Sequence, residues 1–283
     1  LIQTCARAEE QGCIVRNEGK IRKKGAKMNK DITRQIVNVI AIVATILLNI
    51  LANSLPFNNQ NTGDISDSFP VLFTPAGYVF IIWGVIYIGL IAFAIFQALP
   101  SQRENPRLRA VGYIFALGCL ANIAWLFGWH YLNQSSWFFL TEVAMLLLLV
   151  SLILTYLRLD IGRAATSTAE YWTVSVPISI YLGWISVATI ANTSIVLYDL
   201  GLSSLSVQVQ AWLTALMLLV GAVLGILMAF YRRDVAFILV LAWAYLGVAL
   251  PAGEDHPVVS VVGYLLAAML AILAGVTIFW KKK

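Results

Sequence analysis

Eight apolar stretches follow one another along this chain, each about as long as a helix that crosses a bilayer. They run Ile36–Leu55, Gly77–Leu99, Ala110–Tyr131, Trp137–Leu157, Tyr171–Asn192, Val209–Phe230, Val235–Leu250 and Val258–Trp280. A helix rises about 1.5 Å per residue, so roughly 20 apolar residues match the hydrocarbon core. These stretches explain a composition that is 60% hydrophobic and only 12% charged. A soluble domain carries about 25% charged residues and needs them to cover its wet surface. The expected fold class is all-α, a polytopic membrane helix bundle. The seventh stretch is short and Pro251 stops it. A re-entrant segment is the alternative there, and the charges at its two ends favour a crossing.

The charges alternate with the stretches. Nine precede the first: Arg7, Arg16, Lys20, Arg22, Lys23, Lys24, Lys27, Lys30 and Arg34. Arg103, Arg107 and Arg109 lie between the second and third, Arg158 and Arg163 between the fourth and fifth, and Arg232 and Arg233 between the sixth and seventh. Lys281, Lys282 and Lys283 complete the 19. The intervening loops hold Asp64, Asp67, Asp199, Glu254 and Asp255 and no cation. Cytoplasmic segments carry the Lys and Arg excess. Both termini are therefore expected in the cytoplasm, with a plasma membrane of bacterial type as the default location. A wrong helix count would scramble this alternation. The net charge of +5 is read as topological, so the expected surroundings are membrane lipid, with no nucleic-acid partner.

Leu1 is an unusual first residue, and Met28 stands just before the first stretch. Residues 1–27 are expected to be an upstream extension or a misplaced start. They lack the apolar core of a secretory signal. Cys5, Cys13 and Cys119 offer neither a disulfide framework nor metal spacing. Glu254-Asp255-His256 could suggest a metal cluster, but consecutive residues seldom converge on one ion, so no metal site is expected.

The connections are short except Pro56 to Phe73, which is rich in Asn, Asp and Ser. A loop of that length in a compact protein is often a lid; a solvated connector is the alternative. Thr74-Pro75 starts the second helix, with Thr as cap and Pro in the first turn. Pro177 is expected to kink the fifth helix. Gly221 and Gly225 read as close helix packing.

Nine tryptophans fall into two groups. Trp129, Trp137, Trp172, Trp212 and Trp280 lie near helix ends, where indoles form an interfacial belt. His130 is placed at the same level. Trp83, Trp125, Trp184 and Trp243 lie six to eight residues inward, or ~9–12 Å below the acidic-side boundary. Asn49, Glu142 and Tyr264 fall at similar depth, and Tyr87, Asn122 and Tyr181 somewhat deeper. A buried indole N–H seeks a partner, and an ionisable residue in hydrocarbon usually faces the bundle interior. Together they suggest an aromatic, weakly polar pocket. A packed core whose polar tips satisfy one another is the alternative, because depth does not show that side chains face each other. No catalytic constellation appears, and the reading leans away from an enzyme.

The same residues carry a resemblance. Phe73-Thr-Pro-Ala-Gly-Tyr-Val-Phe80, followed by Trp83-Gly-Val-Ile-Tyr87, resembles the second-helix signature of the TspO/translocator-protein family, the tryptophan-rich sensory proteins. Asn122-Ile-Ala-Trp125, Glu142, and Tyr181-Leu-Gly-Trp184 with Asn192 are similar to its third-, fourth- and fifth-helix patterns. The sequence departs from the pattern at Ala76, where a second Pro is usual. It also lacks one residue between Phe80 and Trp83, and has Pro177 upstream of the fifth-helix Tyr rather than beside it.

The resemblance implies a TspO-like five-helix core over 32–193, after a basic segment 1–31 and before three additional transmembrane helices in 194–283. It implies a pocket that binds porphyrins or other hydrophobic ligands, with Trp83, Tyr87, Asn122, Trp125, Glu142, Tyr181, Trp184 and Asn192 as ligand-binding candidates. The first function expected is a sensory or ligand-binding membrane protein that takes a planar tetrapyrrole. A secondary transporter using Glu142 is the alternative, followed by a porphyrin-modifying enzyme and by a packed scaffold. No tightly held cofactor is expected, and the Gly221/Gly225 pair leaves room for a homodimer.

Overall fold

The computed structural model describes residues 2–201 and 205–279, with side chains from residue 28 onward. Cys5 and Cys13, Trp280 and the closing lysines lie outside the residues whose side chains are described. Eight helices among the described residues are long and apolar enough to cross a bilayer. We number them α1 (Met28–Ser54, continuing a helix that starts at Ile2), α2 (Gly77–Ala98), α3 (Ile114–Tyr131), α4 (Leu140–Arg158), α5 (Thr168–Asp199), α6 (Val207–Arg232), α7 (Val235–Ala252) and α8 (Pro257–Phe279). The seventh stretch is one continuous helix of 18 residues. Helices satisfy their own backbone groups, which hydrocarbon demands.

The first five close into a ring. α1 packs on α2 and α3, α3 on α4, α4 on α5, and α5 on α2. The ring buries Ile86, Leu90, Phe115, Leu148 and Ile185 inside, while Ile88, Leu117 and Leu147 point outward. Outward apolar side chains are what lipid solvates. α6, α7 and α8 pack on one another, and α7 joins this group to the ring by lying against α5 and the start of α2. Gly183 of α5 permits that approach: a Cβ there would stand 3.1 Å from the Cβ of Val240. Gly221 and Gly225 of α6 do the same within the extension, facing Tyr245 and Leu270.

Pro177 sits in the first turn of the regular part of α5, directly after a π-turn at Tyr171–Ser175. The wider turn accommodates a residue with no N–H to donate. Gly89 of α2 lies against the Pro177 ring, where a Cβ would come within 3.0 Å. This close crossing sets α2 and α5 side by side and so brings Trp83 beside Trp184.

Polar groups fasten the basic end. Arg109 bonds the Asp31 carboxylate through Nε at 3.0 Å, tying the α2–α3 connection to α1. That partnership raises the already high Arg109 pKa. Arg107 pairs with Glu170 at 2.6 Å. Asp234, ahead of α7, accepts from Ser179 Oγ (2.6 Å), Tyr156 Oη (2.8 Å) and the Phe237 amide (3.1 Å). It thus joins α4, α5 and α7.

Candidate ligand-binding site

The segment from Pro56 to Phe73 folds over the acidic end of the ring. Asn61 caps a short helix, Thr62–Asp67, by accepting from the Gly63 and Asp64 amides, and the Asp64 carboxylate in turn accepts from the Asn61 amide. This reciprocal box satisfies donors that a short helix would otherwise leave open. Ile65 and Phe73 are fully buried, Phe69 stacks on Phe138 at 5.5 Å, and Asn58 donates to the His130 carbonyl. The segment is a packed lid rather than a solvated connector.

Beneath it, α2, α3, α4 and α5 enclose a cavity of about 50 Å³. Thr62 and Ser66 of the lid, Phe80 and Trp83 of α2, and Trp125 and Trp129 of α3 line it, facing Trp184 and Asn192 of α5. That space holds a few waters and is well short of the ~300 Å³ at which organic ligands are usually housed. A groove of about 530 Å³ adjoins it between α1, the lid and α2. Thr62, Phe80, Trp83 and Trp125 line both, so two indoles and a phenyl ring stand between the small cavity and a space of ligand size.

The rings form two groups that share the cavity lining. Trp83 stacks on Tyr87 (5.7 Å) and meets Tyr181 (6.1 Å) and Trp184 (6.2 Å) edge-on. Phe80 meets Trp184 at 5.9 Å, and Trp125 stacks on Trp129 at 5.3 Å. Such pairs add about 0.5–1.5 kcal/mol beyond the area they bury.

Two hydrogen-bonded chains hold the polar tips. Asn49 donates to Asn122 Oδ1 (2.8 Å), and Asn122 donates to the Tyr181 hydroxyl (3.1 Å). Trp125 Nε1 donates to Asn192 Oδ1 (2.9 Å), whose amide donates to Glu142 Oε2 (2.7 Å); Thr193 donates to Glu142 Oε1 (2.8 Å). The indole N–H of Trp184 is buried without a partner.

All eight residues singled out from the sequence therefore lie in one region, in different places. Trp83, Asn122, Trp125, Trp184 and Asn192 line the cavity, and Tyr87 lines the groove. Tyr181 stands behind Asn122, and Glu142 behind Asn192. Glu142 is also shallower than expected. α4 starts at Leu140, which puts Glu142 in its first turn, where the helix dipole favours a carboxylate.

Other expectations need correction. Trp129 is not an interfacial residue: it is buried and donates to the Thr62 carbonyl at 3.2 Å, beneath the lid. His130 is fully buried, with Nδ1 2.8 Å from the Leu126 carbonyl. Both lie near a helix end that the lid covers, so nearness to the end does not mean contact with headgroups. Tyr264 points outward. Trp243 faces Val79 rather than the cavity. Trp137, Trp172 and Trp212 are exposed, as belt residues would be.

An eight-span helical bundle with an aromatic cavity between its helices defines the class: an integral membrane protein with a hydrophobic pocket. The TSPO-like protein family matches residues 35–276, and the chain belongs to that family. The match runs on through the three helices beyond the ring, past the five-helix part in which the signature residues lie. No curated protein and no solved structure matches the chain.

Proposed function

We propose that this protein binds a planar, hydrophobic ligand of porphyrin type in the aromatic pocket under its lid, as a sensory or carrier component of the membrane. The observation that carries the reading is the juxtaposition of the Phe80, Trp83, Trp125 and Trp184 rings, contributed by three helices, with a groove of ligand size. Indole faces stack on a conjugated macrocycle, and the unpaired Trp184 N–H supplies a donor for a carboxylate or carbonyl of the guest. A ligand enters by turning the rings that separate groove from cavity. In this reading Glu142 orients Asn192, and Asn192 holds Trp125 in place. We take the basic end as cytoplasmic, so the pocket opens toward the outer leaflet.

The test is a tryptophan-quenching titration of purified protein with protoporphyrin IX. Saturable quenching is expected, with affinity at least about tenfold weaker in the Trp125→Phe/Trp184→Phe double variant, the loss of two stacked contacts. Unchanged fluorescence with a folded wild-type protein would sink the porphyrin reading.

A further inference from the structure

We infer that α7 is a clasp that holds the pocket roof in place, and so sets how readily the pocket exchanges its ligand. The roof is the segment from Thr74 to Trp83. Its residues alternate between two jobs. Phe80 and Trp83 face the cavity. Ala76, Tyr78 and Val79 face α7.

The clasp begins with a vacancy in the α7 hydrogen-bond ladder. A helical carbonyl accepts from the amide four residues on. For Gly247 that residue is Pro251, which has no N–H. The Gly247 carbonyl instead accepts from the Ala76 amide at 2.8 Å. Ala76 stands where the family signature usually has a second proline, and a proline there could not donate. Donor and acceptor therefore come from two separate places in the sequence, a residue other than proline at 76 in the roof and a proline at 251 at the end of α7.

Three further contacts share the same spot. Gly247 has no side chain where Val79 packs; a Cβ at 247 would lie 2.1 Å from Val79 Cγ2. Trp243 Nε1 donates to the Val79 carbonyl at 3.2 Å. The Trp243 ring meets Tyr78 edge-on at 5.5 Å. Val79 is fully buried. The roof is thus pinned on the α7 side, one residue before Phe80 and four before Trp83, so its backbone cannot lift these rings away from the cavity without breaking the α7 contacts. The clasp is independent of any ligand; its effect on exchange rests on the pocket reading above.

Amide hydrogen exchange of the full chain in nanodiscs tests it. Pro251→Ala returns an intrahelical donor to the Gly247 carbonyl, in competition with Ala76. Ala76→Pro removes the other donor and suits the local φ of −54°. Each is expected to speed exchange in peptides covering 77–81 by about fivefold, the loss of one net hydrogen bond, without altering α4. Gly247→Ala should speed it as well, and adding Val79→Ala should bring it back, because the second change reopens the space. Release of protoporphyrin IX should quicken in the same variants. Wild-type exchange in both Pro251→Ala and Ala76→Pro would overturn the clasp. If Ala76→Pro does not fold, Pro251→Ala alone decides, since it removes no buried contact. Faster roof exchange in a protein that never binds protoporphyrin IX would support the clasp and remove the pocket reading.

Discussion

Asn192 is the residue on which the polar side of the pocket turns. Its amide has one acceptor and one donor group, and it uses both, toward Trp125 and Glu142. Replacing it with Leu keeps the bulk and leaves an indole N–H and a carboxylate oxygen short of a partner in a buried place. Each such loss costs about 1–3 kcal/mol. Asn192→Leu is therefore expected to lower the melting temperature in detergent clearly, and Glu142→Gln only slightly, because the Gln oxygen still accepts from Asn192 while its amide donates to the Thr193 hydroxyl, whose own proton goes to the Thr189 carbonyl. Thermal unfolding followed by tryptophan emission distinguishes the two; equal losses would contradict the arrangement. Trp125 and Glu142 were legible in the sequence through their depth on their helices and through the family resemblance, and Asn192 through the resemblance alone. Trp129 and His130 were not, because position along a helix gives depth, while the direction a side chain takes around the axis depends on what covers it. Trp184 was legible as a pocket residue, but its unpaired N–H is a property of the packed surroundings.

At the scale of elements, all eight spans can be read from apolar length and from the alternation of basic and acidic loops, since hydrocarbon permits few other solutions. Their ring order cannot. It depends on crossings such as Gly89 on Pro177 and Gly183 on Val240, where one missing Cβ decides which helices touch. The lid was legible as a long polar loop with two open readings, and burial of Ile65 and Phe73 settles its state. Its short helix is held mainly by the Asn61 box, so Asn61→Ala should cost about 1 kcal/mol locally. Exchange of the amides in 62–67 is expected to rise about fivefold, and acrylamide should reach Trp129 more easily, because that indole is bonded to Thr62. Protection equal to wild type would mean that Ile65 and Phe69 anchor the lid alone.

For the molecule as a whole, the question is what joins the ring to the three helices after it. The clasp at Ala76 and Gly247 serves the pocket end. Asp234 serves the basic end, with hydroxyls from α4 and α5 converging on a carboxylate at the start of α7. Ala76 and Pro251 stood out in the sequence, one as a departure from the family pattern and the other as the end of the seventh stretch, but their meeting through Gly247 did not; Asp234 sits beside Arg232 and Arg233 and reads as one more loop charge. Burial raises the Asp234 pKa above the usual carboxylate value, and the Ser179, Phe237 and Tyr156 bonds only partly offset this. The folded chain therefore keeps a proton there to higher pH than the unfolded chain, whose value is about 3.9. The stability this gives is complete below that value and is lost as pH rises through the raised folded one. Asp234→Asn, which stays neutral, should remove that part of the slope: the wild type should lose stability relative to the variant as pH climbs from about 4 toward its folded value. Melting temperatures of both proteins across this range provide the check. Arg232 does not reverse the sign, because it pairs with Asp160 at 2.9 Å and lies over the Tyr156 ring. Parallel curves would mean that Asp234 is charged in both states, and that the junction is held by an ion rather than by a neutral acid among hydroxyls.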